Sequence, residues 1–131
     1  MDIQELLAKS IRTVPDFPKL GIQFRDITPV LANPTLMKQI IESFTESVAD
    51  SKPTAIAGPE ARGFIFGPLL AARLGCPFIP IRKPGKLPSD TFSVAYELEY
   101  GTNTLEMHKD ALNETDRVII VDDLLATGGT I

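Results

Sequence analysis

The stretch Val118-Ile119-Ile120-Val121-Asp122-Asp123-Leu124-Leu125-Ala126-Thr127-Gly128-Gly129-Thr130 is the part of the sequence that decides the predicted fold. Its first four residues are β-branched and apolar without alternation, which predicts a strand buried on both faces in a parallel sheet. Two carboxylates and a loop of small residues follow that strand. Because ligands of open α/β sheets bind beyond the carboxyl ends of the strands, the stretch predicts a binding site at this edge.

The residue types after the strand predict a ribose 5-phosphate site. Two glycines let the loop backbone approach a ligand closely, and successive amides with two threonine hydroxyls can hold an anion. The acid pair suits the two hydroxyls of a ribose better than a phosphate. The residues concerned are Asp122, Asp123, Ala126, Thr127, Gly128, Gly129 and Thr130. The alternative is a solvated acidic turn beside a glycine turn that binds nothing.

Composition limits the classes of protein that fit this chain. A length of 131 residues predicts one domain, and a net charge of −4 argues against a nonspecific nucleic-acid binder. No apolar run approaches the ~18 residues of a membrane span, and no signal segment precedes the first helix. The single cysteine cannot form an internal disulfide, which fits a reducing compartment. We therefore predict a cytoplasmic protein that binds neither nucleic acid nor membrane.

Hydrophobic spacing predicts an α/β fold, an open and mainly parallel sheet with helices on both faces. The predicted helices are one from Ile3 to Ile11 capped by Asp2, one that begins at Asn33-Pro34, and one from Phe64 to Leu74 closed by Gly75. The predicted strands are Thr54–Ala57, Phe78–Ile81 and Val118–Val121, with Phe92–Leu98 and Thr104–Met107 as an inserted β-hairpin. The four prolines between Val14 and Pro34 predict an irregular segment there.

Two further strand-to-helix junctions carry cations. Arg62 lies in the turn after the first predicted parallel strand, and Arg82-Lys83-Pro84-Gly85-Lys86 follows the next strand. A helix N-terminus offers amides to an anion, and arginine adds bidentate charge. Both junctions should therefore face the same ligand as the acid pair, with a diphosphate held by the cations. The alternative for each is a solvated basic loop, and for Phe24-Arg25 pattern alone favours a core Phe in a loop beside a solvated Arg.

Several segments, taken in order, resemble the adenine phosphoribosyltransferases, a family of type I phosphoribosyltransferases. The closing stretch resembles their 5-phosphoribosyl diphosphate (PRPP) motif, a hydrophobic strand, two acids and a T-G-G-T loop. The earlier matching segments are Asp16–Pro18, Gly21–Ile27, Arg62–Pro68, Lys83–Pro88 and Tyr96–Gly101. The resemblance implies the reaction adenine + PRPP → AMP + diphosphate, which is purine salvage. It also implies a base-binding hood at residues 1–33 and a PRPP-binding core at 34–131.

The resemblance implies that residues of the hood and of the hairpin bind the purine base. Phe24 matches the aromatic residue that stacks on adenine, and Arg25 lies in the same base-recognition segment. Glu99 matches a carboxylate near the imidazole edge of the purine, as a proton acceptor or a positioning group. Tyr100 matches a residue of the same mobile hairpin. The hairpin would then be a lid that excludes water from PRPP.

The resemblance assigns the diphosphate to the cations. Arg62 matches the diphosphate-binding arginine, and Arg82 and Lys86 match cations for the diphosphate or the closing loop. Mg²⁺ is the implied cofactor, held by Asp122 and Asp123 only through water or PRPP. Together with Arg62 it would stabilise the negative charge that develops on the leaving group. The Glu60–Ala61 bond matches a position that is often a cis peptide.

Three further expectations follow from the same resemblance. Members of the family continue past the PRPP motif with a helix and more strands, so a C-terminal part is expected to be missing here. The family is usually homodimeric. The alternatives are an enzyme for another purine base and a non-enzymatic PRPP-responsive regulator; a dinucleotide-binding domain ranks low because no G-x-G-x-x-G follows an early strand.

Overall fold

The computed structural model describes residues 2–98 and 101–122 and divides the chain into two compact units, Met1–Glu46 and Ser47–Ile131. The first unit contains α1 (Ile3–Ser10), β1 (Arg12–Pro15), β2 (Gln23–Asp26), α2 (Thr28–Leu31) and most of α3 (Pro34–Val48). The second contains a 3₁₀ turn (Ala49–Ser51), β3 (Ala55–Pro59), α4 (Gly63–Leu74), β4 (Phe78–Ile81), β5 (Thr91–Leu98), β6 (Gly101–His108) and β7 (Val118–Ile120).

The two predicted helices of the first unit, α1 and α3, begin at side-chain caps, as predicted. The Asp2 carboxylate accepts a hydrogen bond of 2.9 Å from the Glu5 amide at the start of α1. The Asn33 side chain accepts one of 3.1 Å from the Leu36 amide at the start of α3. Both bonds satisfy amides that have no partner inside the helix. Among the described side chains of this unit, the buried apolar ones are Val30, Leu36, Ile40 and Ile41.

The prediction of an irregular segment between Val14 and Pro34 is confirmed for residues 16–22 and wrong for the strands and the short helix around them. β1 and β2 form an antiparallel pair in register from Arg12↔Asp26 to Pro15↔Gln23, and the short helix α2 follows. The prolines do not interrupt these elements because they lie at element ends or, for Pro18, in the turn between β1 and β2. Pro15 is the last residue of β1, Pro29 lies in the first turn of α2, and a missing amide costs little there.

The second unit is a three-stranded parallel sheet of order β4-β3-β7, with β5 and β6 as an antiparallel hairpin between β4 and β7 in the sequence. This confirms the predicted α/β fold and the inserted hairpin. α4 packs on β3 and β4, and its end at Gly75 is confirmed by a φ of 73° and by backbone bonds to the last turn. Gly67 of α4 leaves room for the ring of Phe78, which a Cβ at that position would strike.

The strand buried along its whole length is β3, not β7. All five residues of β3 are buried, whereas Val118 and Ile119 of β7 are half-buried and Ile120 is 49% exposed. The predicted burial of Val118–Val121 is therefore wrong for the three residues of β7 within the part of the chain that the structure describes, whereas Val121, directly after β7, is buried. Among the described strands, β7 is hydrogen-bonded to β3 alone, so it lies at a sheet edge. None of the helices among the described residues has the length and apolar character to span a membrane.

Candidate active site

The carboxyl ends of the three parallel strands lie at one edge of the sheet. Pro59 of β3 is in register with Ile81 of β4, and Ala57 is in register with Ile120 of β7. The Val121 amide continues the ladder with a bond of 2.8 Å to the Ala57 carbonyl. Glu60, Arg82 and Asp122 therefore follow neighbouring strand ends. The structure thus brings the three predicted strand-to-helix junctions to one edge of the sheet, and the third of them is described up to Asp122.

Glycines let the first turn of α4 approach this edge closely. A Cβ at Gly58 would lie 2.8 Å from the Gly63 carbonyl oxygen, and a Cβ at Gly63 would lie 2.7 Å from the Val121 carbonyl oxygen. Real Cβ atoms do not approach backbone so closely, so both positions need glycine. Arg62 precedes α4 and is half-buried at its N-terminus. The Glu60–Ala61 bond is cis, as the resemblance led us to expect.

Glu60 connects the turn after β3 to the basic loop, residues 82–86. One of its oxygens, Oε1, accepts a bond of 2.8 Å from the Lys83 amide and one of 3.2 Å from Arg82 Nε. The Lys83 amide and the charge of Arg82 hold the pKa of Glu60 below its ordinary value. Sequence reasoning did not single out Glu60 as a site residue. The one available signal was an acid two residues before Arg62, in a turn expected to bind an anion.

Arg82 is engaged on two sides by its own unit. Besides the ion pair with Glu60, its guanidinium lies 5.6 Å from the ring centroid of Phe64. Phe64 in turn meets Phe78 edge to face, with ring centroids 5.8 Å apart. These contacts hold the Arg82 side chain in place at the start of the basic loop. Lys86, at the other end of the loop, is exposed, and the binding roles predicted for both cations stay predictions.

The first unit carries the residues expected to meet the base. Phe24 and Arg25 lie in β2 and not in a loop, and the Phe24 backbone is opposite Val14; its side chain is outside the described part. Arg25 is exposed and donates a hydrogen bond to the Thr13 hydroxyl. Pairing with β1 thus fixes the backbone of this predicted base-recognition strand.

Asp26 stabilises the end of β2. Its Oδ1 accepts bonds of 2.9 and 2.7 Å from the Thr28 amide and hydroxyl. Its Oδ2 accepts bonds of 2.9 and 2.7 Å from Nε and Nη2 of Arg12. The Thr28 bonds first, then the Arg12 bond and charge, lower the pKa of Asp26 from 3.8 to about 2. Sequence reasoning did not identify this network.

Several predicted site residues lie outside the described residues, and their roles stay predictions. They are Glu99, Tyr100, Asp123, Ala126, Thr127, Gly128, Gly129 and Thr130. Asp122 is described and half-buried at the end of the ladder that Val121 continues. Among residues 2–98 and 101–122, no three His, Cys, Asp or Glu side chains form a group able to hold a metal ion.

Comparisons with known proteins agree with this geometry. Residues 27–131 match the family model described as "Phosphoribosyl transferase domain". The chain is 58% identical over 127 residues to the adenine phosphoribosyltransferase of Thermoanaerobacter sp. (strain X514), covering 97% of this chain and 73% of the relative.

Solved structures show the same backbone. The adenine phosphoribosyltransferase of Thermoanaerobacter pseudethanolicus superposes with a TM-score of 0.92 at 56% identity, over 98% of this chain and 74% of that one. The Saccharomyces cerevisiae enzyme, complexed with D-2,5-dideoxy-2,5-imino-altritol 1,6-bisphosphate and adenine, gives a TM-score of 0.90 at 43% identity, over 97% of this chain and 74% of that one. Sequence and backbone are therefore similar along nearly all of this chain.

Proposed function

This chain belongs to the adenine phosphoribosyltransferase family, and we propose that it transfers the phosphoribosyl group of PRPP to adenine, with AMP and diphosphate as products. The observation that carries the proposal is the sheet edge where the turns after β3, β4 and β7 meet. Arg62, the basic loop and Asp122 follow these strands, and their charges match those of PRPP, a ribose with a 5-phosphate and a diphosphate at C1. The adenine in the yeast relative's structure supports the choice of base.

The charges at this edge suit departure of diphosphate from C1. As the C1–oxygen bond breaks, negative charge grows on the diphosphate and positive charge grows on the ribose ring. Arg62 at the N-terminus of α4 and Lys86 on the basic loop supply positive charge for the leaving group. Asp122 and Asp123 accept hydrogen bonds from the ribose hydroxyls and place negative charge near the ring. Both effects favour the transition state over the bound substrate.

The carboxylates present fit a Mg²⁺ ion that is held mainly by the substrate. Among the described residues no protein-only cage of three ligands exists, and Asp122 is the carboxylate at the strand end. Mg²⁺ commonly keeps several waters and binds through one or two carboxylates plus substrate phosphates. Asp122 and Asp123 would hold it through water or PRPP. When bound, the ion would neutralise charge on the departing diphosphate.

The base would be held by residues of β2 and of the hairpin. Phe24 stacks on the adenine ring, and Arg25 belongs to the same recognition segment. The adenine nitrogen attacks C1 from the face opposite the diphosphate, while Glu99 accepts a proton or positions the base. The hairpin of β5 and β6, to which the resemblance assigns Tyr100, would exclude water that could otherwise hydrolyse PRPP. A cytoplasmic homodimer is the assembly that we propose for this activity.

An assay that offers adenine, hypoxanthine, guanine and xanthine separately, each with PRPP and Mg²⁺, tests the proposal. We expect nucleotide formation from adenine alone. Turnover of 6-oxopurines only would contradict the assignment of the base. Binding of PRPP without turnover of any base would favour a PRPP-responsive regulator instead.

A further inference from the structure

Glu106 of β6 joins two segments that are separate in the sequence. Its Oε1 accepts a hydrogen bond of 3.0 Å from the Gly85 amide in the basic loop. Its Oε2 accepts bonds of 2.8 Å from the Ser93 hydroxyl and 3.2 Å from the Thr91 hydroxyl, both on β5. One carboxylate therefore connects the basic loop to the first strand of the hairpin.

The backbone makes the same connection. The Arg82 amide donates to the Glu106 carbonyl at 2.9 Å, and the Glu106 amide donates to the Arg82 carbonyl at 2.7 Å. Ser93 is opposite Glu106 in the hairpin register, and Thr91 lies two residues away on the same face of β5. The hydrogen bonds from Ser93 first, and then from Gly85, hold the pKa of Glu106 below its ordinary value. The side chain is therefore an ionised acceptor at neutral pH.

Two backbone amides of the basic loop already donate to carboxylates of the protein and are not available to an anion. Lys83 donates its amide to Glu60, and Gly85 donates its amide to Glu106. Gly85 has a φ of +80°, so it forms a turn that an L side chain would strain. The loop can therefore offer an anion its lysine side chains, and their position depends on the two carboxylates that hold the turn.

A carboxylate beside three cations weakens anion binding by its charge alone. Glu106 must therefore act through geometry if it assists the reaction. We propose that Glu106 is a positioning residue, which holds the basic loop and the β5–β6 hairpin in one relative arrangement so that the loop cations meet the diphosphate of PRPP. This inference rests on the proposed function and adds a residue to its machinery that touches no substrate.

If Glu106 acts through its charge, removing that charge should strengthen PRPP binding. If it acts through its hydrogen bonds, removing those bonds should weaken PRPP binding, and two variants distinguish the cases. Glu106→Gln removes the charge but keeps the shape: its amide oxygen can accept from Gly85, and its amide group can donate to the two hydroxyls. Glu106→Ala removes the charge and all three bonds. We expect KM for PRPP to rise on the order of 10-fold in the alanine variant and to stay at or below the wild-type value in the glutamine variant.

The separate effects of a variant on KM and on kcat distinguish a positioning role from a loss of folded protein. A variant that only loses folded protein loses kcat and keeps its KM values. Positioning predicts instead that KM for PRPP rises more than KM for adenine. Glu114→Ala is the matched control, because it removes an exposed carboxylate from the same unit, and it should change neither constant. Equal KM values for PRPP in the alanine and glutamine variants would overturn the inference.

A second measurement needs no turnover. Hydrogen exchange of residues 83–93 should be faster in Glu106→Ala than in wild type, and unchanged in Glu106→Gln and Glu114→Ala. If Glu106→Ala does not fold, the double variant Thr91→Ala/Ser93→Ala takes its place, with faster exchange and a higher KM for PRPP expected. Unchanged exchange overturns the inference, whereas a wild-type protein that forms no AMP refutes the proposed function independently.

Discussion

The Lys83 amide donates a hydrogen bond of 2.8 Å to Oε1 of Glu60, and this bond links the turns that follow β3 and β4. The same oxygen accepts Arg82 Nε at 3.2 Å, so one carboxylate fixes the entrance of the basic loop. Glu106 fixes the middle of that loop through Gly85. The loop that carries two of the three cations predicted to bind the diphosphate, Arg82 and Lys86, is thus held by two acids.

Glu60→Ala should loosen the entrance of the basic loop. The Lys83 amide and the Arg82 guanidinium lose their common acceptor, and water replaces it only in part. We expect the free energy of unfolding to fall by about 1 kcal/mol and KM for PRPP to rise. Thermal unfolding and steady-state kinetics measure the two effects. Glu60→Gln, which retains an acceptor oxygen, should lie closer to wild type, and an alanine variant with an unchanged KM for PRPP would contradict the account.

We expect Asp26 to stabilise the folded protein in a way that is lost at acidic pH. Its folded-state pKa of about 2 lies below the ordinary 3.8, so the contribution is present above about pH 4 and disappears as the pH falls towards 2. The difference in melting temperature between wild type and Asp26→Asn should therefore be large at pH 5 and shrink as the pH approaches 2. Asp110→Asn, at an exposed position, is the control. A difference that stays constant with pH would mean that the ionised form of Asp26 does not contribute to stability.

Gly63→Ala should disturb the strand ends and the start of α4 together. The new methyl group would lie 2.7 Å from the Val121 carbonyl and 2.8 Å from Pro59 Cδ, so backbone has to move. We expect a loss of about 1–3 kcal/mol in stability and weaker PRPP binding. Denaturant unfolding and a PRPP titration test this. The exposed Ala72→Ser on the same helix should change both little, and a Gly63→Ala protein of wild-type stability would show that the close approach does not exist.

Substitutions of the two acids predicted to bind the ribose and the base should change different kinetic constants. Asp123→Asn removes an acceptor for a ribose hydroxyl and should weaken PRPP binding. Glu99→Gln removes the proposed proton acceptor or positioning group and should mainly lower kcat. Steady-state kinetics with each substrate varied in turn distinguish the effects. Unchanged kinetics in both variants would mean that the site lies elsewhere.

Local signals predicted the elements well where propensity and capping agree with the fold. α1 begins at the Asp2 cap, α4 ends at Gly75, and the hairpin of β5 and β6 follows its alternating pattern. The β1–β2 pair was missed because the four prolines from Pro15 to Pro34 suggested breaks, although they lie at element ends or, for Pro18, in the turn between the two strands. The burial of β7 was misjudged because an apolar β-branched run does not reveal how many neighbours a strand has.

The site was predictable where it depends on residues that follow strands, and unpredictable where it depends on distant partners. Arg62, Arg82 and Asp122 could be placed at one edge because parallel strands end together. Glu60 and Glu106 could not be identified, because their loop partners are more than twenty residues away in the sequence. No local pattern marks a carboxylate whose task is to hold a backbone amide.

The most direct test of the central claim is the amount of AMP formed when the purified protein is mixed with adenine, PRPP and Mg²⁺. The account predicts AMP and diphosphate in equal amounts, with adenine and PRPP consumed in the same proportion. It also predicts a large loss of rate in Arg62→Ala. Intact PRPP and no AMP after prolonged incubation of folded wild-type protein would contradict the account.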